Sequence, residues 1–197
     1  MEVRPYRSGD DDTLYEICLK TGPGGGAAFT DPRILGEIYV GPYLAFEPDL
    51  AFVVEDDDGV AGYVLGARDT RGFEKLCEAR WWPRLRERYP VGSFPDDTID
   101  ARFARLIHRP PVARDDVVAE YPAHLHIDLL PRTQGRGFGR ILMRRLLAAL
   151  HDVGATGVHL GVGATNTNAI GFYRHLGFTV LHENPSGLTM ARPTFLP

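Results

Sequence analysis

A glycine-rich turn set between a strand and a long amphipathic helix limits this chain more than any other feature. His124 to Leu130 alternates polar and apolar residues, as a half-buried strand does, and stops at Pro131. Gly135, Gly137 and Gly139 follow, and the helix from about Phe138 to Val153 keeps its apolar residues on one face until Gly154 ends it. A turn of this kind delivers successive backbone N–H groups to a helix start, where they point toward negative charge. Glycine lets a ligand come close to the backbone, and Arg132, Arg136 and Arg140 offer charge-assisted bonds to phosphate oxygens. A pyrophosphate suits such a site. A tight turn carrying solvated arginines is the alternative.

Of two other phosphate-binding patterns, one is missing and the other is disfavoured. A P-loop ends in Gly-Lys-Ser or Gly-Lys-Thr, and neither follows here. The dinucleotide fingerprint has another spacing and usually opens the first βαβ unit, whereas these glycines lie two-thirds along the 197 residues.

The remaining elements are read from periodicity and turn residues. Val3–Tyr6 is a short strand and residues 12–20 a helix, followed by the loop Gly22–Gly26. Residues 31–47 are weakly helical and interrupted by Gly41-Pro42. Leu50–Glu55 and Val60–Ala67 form a hairpin about the Asp56–Gly59 turn. Phe73–Arg88 is expected as one helix and Ile99–Ile107 as another, inside a Pro-, Asp- and Arg-rich stretch. Downstream, Val158–Val162 is a strand, Asn168–Leu176 a helix, and Phe178–His182 and Leu188–Arg192 a closing strand pair. The order predicts an α/β fold of the mixed kind, one central sheet flanked by helices, in a single domain over 1–197 with a variable helical insertion at about 68–118.

Charge and composition narrow the class. A formal charge of -4 lacks the basic footprint of a nucleic-acid binder. No apolar run is long enough to span a membrane, and the first ten residues hold no signal-peptide core. With Cys18 and Cys77 in no redox or metal spacing, a cytoplasmic protein with two free thiols is expected, as monomer or homodimer. The scattered His108, His151, His159, His175 and His182 suggest no metal site.

Gln134-x-x-Gly137-x-Gly139 resembles the pyrophosphate-binding signature of the GCN5-related N-acetyltransferases, the GNAT family. Asn166-x-x-Ala169-x-x-x-Tyr173-x-x-x-Gly177-Phe178 resembles the second GNAT motif, in the same order and at a fitting distance. Together the two cover roughly residues 121–180. The run His124–Pro131, with Phe172-Tyr173 and Leu176-Gly177, also resembles the acetyltransferase-like C-terminal domain of O-GlcNAcase and its stand-alone bacterial relatives. The glycine turn is degenerate in the animal domain but intact here.

The resemblance implies the GNAT fold, a mostly antiparallel sheet, and acetyl-coenzyme A as cofactor. It implies transfer to the amine of a small molecule or peptide, with a catalytically silent acetyl-coenzyme A-binding module as the alternative. The cofactor would meet the main chain from Ile127 through Asp128 and Leu129 to Leu130. It would also meet Gln134, Gly135, Arg136, Gly137, Phe138, Gly139 and Arg140, and then Asn166, Ala169, Phe172 and Tyr173. Tyr173 is the expected acid for the leaving thiolate, with a core tyrosine as the bland alternative. His124, His126 and Asp128 share one face of their strand, and Asp128 and His126 are carried as candidates for the base. A solvated cleft, an exposed sheet face and a satisfied hydrogen-bond pair all remain open for that polar row. Asn166 serves either the cofactor or its own turn. Trp81, Trp82 and Arg84 form either an acceptor wall or ordinary packing.

Overall fold

The computed structural model describes residues 1–195 and contains one seven-stranded sheet in the order β1-β2-β3-β4-β5-β7-β6. The strands are β1 Glu2–Pro5, β2 Ala51–Asp56, β3 Gly59–Ala67, β4 Ala123–Leu129, β5 Gly157–Gly163, β6 Thr179–Asn184 and β7 Gly187–Pro193. Every neighbouring pair is antiparallel except β4 and β5. The expected mixed, mostly antiparallel sheet flanked by helices is what forms.

Two apolar layers sit on the two faces of the sheet. On one face lie α1 Asp11–Thr21, α2 Ile34–Tyr39, α3 Gly41–Phe46, α4 Thr70–Arg80, α5 Trp82–Arg88 and α6 Ile99–His108. Their core includes Leu14, Ile17, Tyr43, Trp81 and Ile107, packed with Val53, Tyr63 and Leu65 of the sheet. The other face is covered chiefly by α8 Phe138–Asp152 and α9 Thr167–His175. Leu142, Met143, Leu146, Leu147 and Leu150 of α8 recur at helical spacing and are all buried against Leu125, Val64 and Val158. β3 lies between the layers, and eight of its nine residues are buried. That explains its continuous apolar run.

Several expected elements are altered. The single helix over Phe73–Arg88 is two helices, α4 and α5, broken at Trp81. Pro83 lacks the N–H an unbroken helix needs, and it sits in the first turn of α5, where that loss is harmless. Pro42 likewise stands in the first turn of α3, so residues 31–47 yield two short helices. The Gly22–Gly26 loop includes a 3-10 turn at Pro23–Gly26, with Gly24 and Gly25 in the left-handed region. A further short helix, α7 Asp115–Glu120, lies in the polar stretch where none was expected.

Buried polar anchors tie the 68–118 segment to the rest. Asp100 is fully buried and accepts from the N–H groups of Thr30 and Asp31. Trp81 Nε1 donates to Glu37 O at 2.8 Å, and Arg84 lies 3.7 Å over the Trp81 ring. Trp81 and Trp82 are each 8% exposed, so both are packed, and Trp82 also lines a cavity on this side of the sheet. Among the described residues, no helix is long and apolar enough to cross a membrane.

Candidate active site

The sheet is open at its only parallel pair. β4 and β5 are joined only at Ala123–Val158 and His124–His159, although β4 runs on to Leu129 and β5 to Gly163. Beyond His124 the strands part. On its other side β4 pairs without a break from Gly62–Leu129 to Ala67–His124, so no bulge disturbs the alternation of its side chains. Leu130 N–H donates to Ala61 O at 2.9 Å, which fixes the direction of the groups before it. By alternation, Ile127 and Leu129 turn their N–H and C=O away from β3, into the gap.

Not all of the expected main-chain contacts are free. Both polar groups of Leu130 are engaged, the N–H by Ala61 and the carbonyl by Thr133 N–H and Oγ1. Asp128 pairs with Tyr63 on β3. Leu129 O accepts from Gln134 Nε2 at 2.8 Å, so the glutamine ties the turn to the edge of the gap.

The glycine turn stands beside this opening. Gly135 and Gly137 adopt φ of 69° and 85°, which side-chain-bearing residues rarely take, and a Cβ on either would meet no protein atom within 4 Å. Gly137 caps α8, and among the described residues no side chain bonds to the first turn, so its N–H groups face outward. Gly139 has a different role. A Cβ there would lie 3.0 Å from Leu129 and 3.1 Å from Phe172, where β4, α8 and α9 converge. Phe138 beside it is partly buried against the same core.

The arginines divide. Arg132 Nε is 3.0 Å from Asp56, whose carboxyl that bond holds below the usual range, so its guanidinium already has an anion. Arg136 Nη1 reaches Arg132 O at 3.5 Å, while Arg140 is exposed and makes no ion pair among the described residues. Asn166 caps α9, its Oδ1 accepting from Ala169 N–H at 3.1 Å. The two residues expected at the cofactor thus hold one another.

Tyr173 lies on α9 with 8% exposure, packed between Phe172 and Phe178 at ring separations of 5.4 and 5.7 Å. Among the described residues its hydroxyl makes no hydrogen bond. Burial, helped by the Asp128 charge, raises its pKa well above the ordinary phenol value. The group therefore keeps its proton at neutral pH.

Asp128 and His126 meet. His126 Nε2 is 3.1 Å from Asp128 Oδ2, and the same oxygen accepts from the Tyr63 hydroxyl at 2.5 Å. Burial opposes charge on His126, yet the neighbouring carboxylate outweighs it and raises the pKa well above the histidine range. One donor atom from each of Cys18, His126 and Asp128 lies within 4.8 Å of the others. Asp128 Oδ1 makes no hydrogen bond among the described residues.

The polar row is not an exposed sheet face. Helices cover it: Tyr39 of α2 stacks on His126 at 5.6 Å, and Phe73 of α4 meets His124 edge-on at 5.1 Å. Thr70 Oγ1 gives its single proton to Pro122 O at 2.7 Å, so at 2.8 Å it accepts from His124 Nδ1. His159 Nδ1 donates to Tyr121 O at 2.8 Å. Burial, and then the neighbouring His159, push His124 down to about 3, and burial lowers His159 as well. Both imidazoles are neutral at physiological pH, with Nε2 the unprotonated nitrogen.

Beside this row lies a cavity of about 750 Å³, reached from β4 at Leu125 and His126 and from β5 at Leu160 and Gly161. It therefore meets the gap between the parted strands. Tyr63, Cys18, Thr70 and His159 were not singled out as site residues in the sequence. Tyr63 lies in an apolar run that reads as core, and only the β3–β4 register brings it to Asp128.

Residues 14–178 match the acetyltransferase (GNAT) family. The chain belongs to that family. It is 40% identical to SsHAT, whose crystal structure superposes with a TM-score of 0.92 over 99% of this chain and 98% of that one. Protein O-GlcNAcase of Rattus norvegicus is 28% identical over 179 residues, and the Mus musculus protein gives the same identity and span. Those residues are 89% of this chain and 20% of the O-GlcNAcases, so the chain spans about a fifth of their length. At the level of fold alone, yncA of Salmonella typhimurium, solved with its cofactor acetyl-CoA, matches with a TM-score of 0.58 at 18% identity. That match covers 100% of this chain and 95% of the other.

Proposed function

We propose that this GNAT protein transfers the acetyl group of acetyl-coenzyme A to the amine of an acceptor, by direct attack on the thioester. The observation that carries the reading is the parting of β4 and β5 beside an uncapped helix start. A gap edged by the N–H and C=O of Ile127 and the N–H of Leu129, which turn away from β3, suits a pantetheine arm. The N–H groups of Phe138, Gly139 and Arg140, at the start of α8, suit its pyrophosphate. Gly135 and Gly137 leave the backbone open to that ligand, and Gln134 holds the turn against Leu129.

In the reaction, the amine nitrogen forms a bond to the thioester carbon, the C–S bond breaks, and the thiolate departs. Ile127 and Leu129 main-chain groups orient the carbonyl, and Tyr173 gives its proton to the leaving sulfur. Asp128 takes up the amine proton on Oδ1, the oxygen left open by Tyr63 and His126. His126 holds that carboxylate in place through its other oxygen.

The tie between Asp128 and its two donors also favours a second reading, a catalytically silent acetyl-coenzyme A-binding module, since those bonds account for the carboxylate as a satisfied, part-buried polar group. Calorimetric titration with acetyl-coenzyme A, followed by thiol release across a panel of amines, separates the two. Saturable binding with release on at least one amine supports the transferase. Binding with no release on any amine supports the silent module, and absence of binding removes both.

A further inference from the structure

We propose that the cavity beside His124 is the acceptor site, and that it takes a small monoamine with an aromatic or branched aliphatic body. The proposal rests on the acetyl-transfer reading and names the acceptor class for that site. Size is the first argument. At about 750 Å³ the cavity falls in the range of roughly 300–1,000 Å³ that encloses a whole small molecule. A lysine side chain delivered from a peptide would leave most of it empty.

The walls decide the chemistry. Tyr39, Tyr43 and Phe73 form one side, and Pro110 and Pro111 of the connection after α6 form another. The sheet side brings His124, His126, His159 and Thr189, with the Nδ1 atoms of His124 and His159 spent on Thr70 and Tyr121 and His126 held by Asp128. An apolar, aromatic body gains by leaving water for such walls, about 25 cal/mol for each Å² buried.

Charge excludes the polycations. Two lining residues are carboxylates, and both are engaged: Glu74 by Arg71 at 2.6 Å and by Ala113 N–H at 2.8 Å, Glu78 by Arg86 at 2.6 and 2.8 Å. Lys75 lines the cavity with no ion pair among the described residues, while Arg114 and His126 line it paired with Asp116 and Asp128. A second ammonium group on the acceptor would find no partner there. The reacting amine is driven toward its neutral, nucleophilic form by the same apolar surroundings.

Gly161 provides the test. It lines the cavity from β5, and a Cβ added there meets no protein atom within 4 Å, so Gly161→Phe brings a ring into the cavity from an open position. Thiol release is measured for 2-phenylethylamine, 3-methylbutylamine, spermidine and a lysine-containing decapeptide. Binding of the two monoamines to the protein alone is followed by saturation-transfer NMR, and acetyl-coenzyme A binding by calorimetry. We expect the better monoamine to exceed spermidine and the peptide at least tenfold in kcat/KM. Gly161→Phe should abolish its NMR contact and lower its turnover at least tenfold, with acetyl-coenzyme A affinity within about twofold.

Faster reaction of spermidine or the peptide overturns the proposal. So does failure of both monoamines to bind while acetyl-coenzyme A binds. Unchanged monoamine turnover in Gly161→Phe overturns it too, and loss of acetyl-coenzyme A affinity in that variant moves this wall to the donor side. Monoamine binding to a protein that does not bind acetyl-coenzyme A would instead sink the transfer reading and leave the cavity assignment standing.

Discussion

The Tyr63 hydroxyl donates to Asp128 Oδ2 at 2.5 Å between directly paired residues of β3 and β4. Tyr63 is fully buried, so its hydroxyl could not lose this partner without loss of stability. Tyr63→Phe removes the donor and keeps the ring. Urea unfolding should show a loss of about 1.5–3 kcal/mol, the range for bonds to charged groups. Turnover should fall with it, because Asp128 would be free to rotate Oδ1 away from the amine. A variant as stable and as active as the parent would mean that the bond holds neither the fold nor the carboxylate.

Tyr173→Phe isolates the leaving-group proton. The ring packing with Phe172 and Phe178 is retained, so the fold and the cofactor gap should survive. We expect kcat to drop on the order of 10²-fold, as for loss of a general acid, with acetyl-coenzyme A affinity within about twofold. A kcat within about threefold of the parent would take Tyr173 out of the acid role.

What was legible in the chain follows from how local each signal is. The strand, turn and helix around Gly137 appear as read, because alternation, glycine placement and helical spacing all act over short stretches. The shared face of His124, His126 and Asp128 was also legible, since a strand without a bulge keeps its parity. Its surroundings were not: the covering Tyr39 and Tyr43 come from helices far upstream, and Tyr63 is 65 residues away from Asp128. Pro83 did carry a signal for the break at Trp81, but the apolar spacing runs through it and outweighed it. The short helix Asp115–Glu120 was hidden by its length, since six residues are too few to show a helical period.

Gly137→Val tests the phosphate cradle. At a φ of 85° a β-branched residue is strained whatever the space around it, and here the space is open. The strain should cost about 1–2 kcal/mol in unfolding stability. The new side chain should also stand where the ligand approaches, raising the acetyl-coenzyme A dissociation constant at least about tenfold, some 1.4 kcal/mol. Calorimetry on the folded variant separates the two effects. Unaltered affinity would move the pyrophosphate elsewhere.

His124 should leave a mark on stability against pH. Burial holds it near 3 in the folded protein, whereas the unfolded chain protonates it at its ordinary value of 6.5. The unfolded state therefore binds the extra proton, and stability falls as the pH drops from 6.5 toward 3. Between pH 7 and pH 5 the loss from this residue should be roughly 1–2 kcal/mol. His124→Asn keeps a polar group beside Thr70 and cannot titrate, so urea midpoints at the two pH values should differ less in the variant than in the parent. Equal pH dependence in both would mean that folded His124 takes up the proton as readily as the unfolded chain does. The cavity wall would then gain a further cation, and the case for an acceptor with an apolar body would weaken with it.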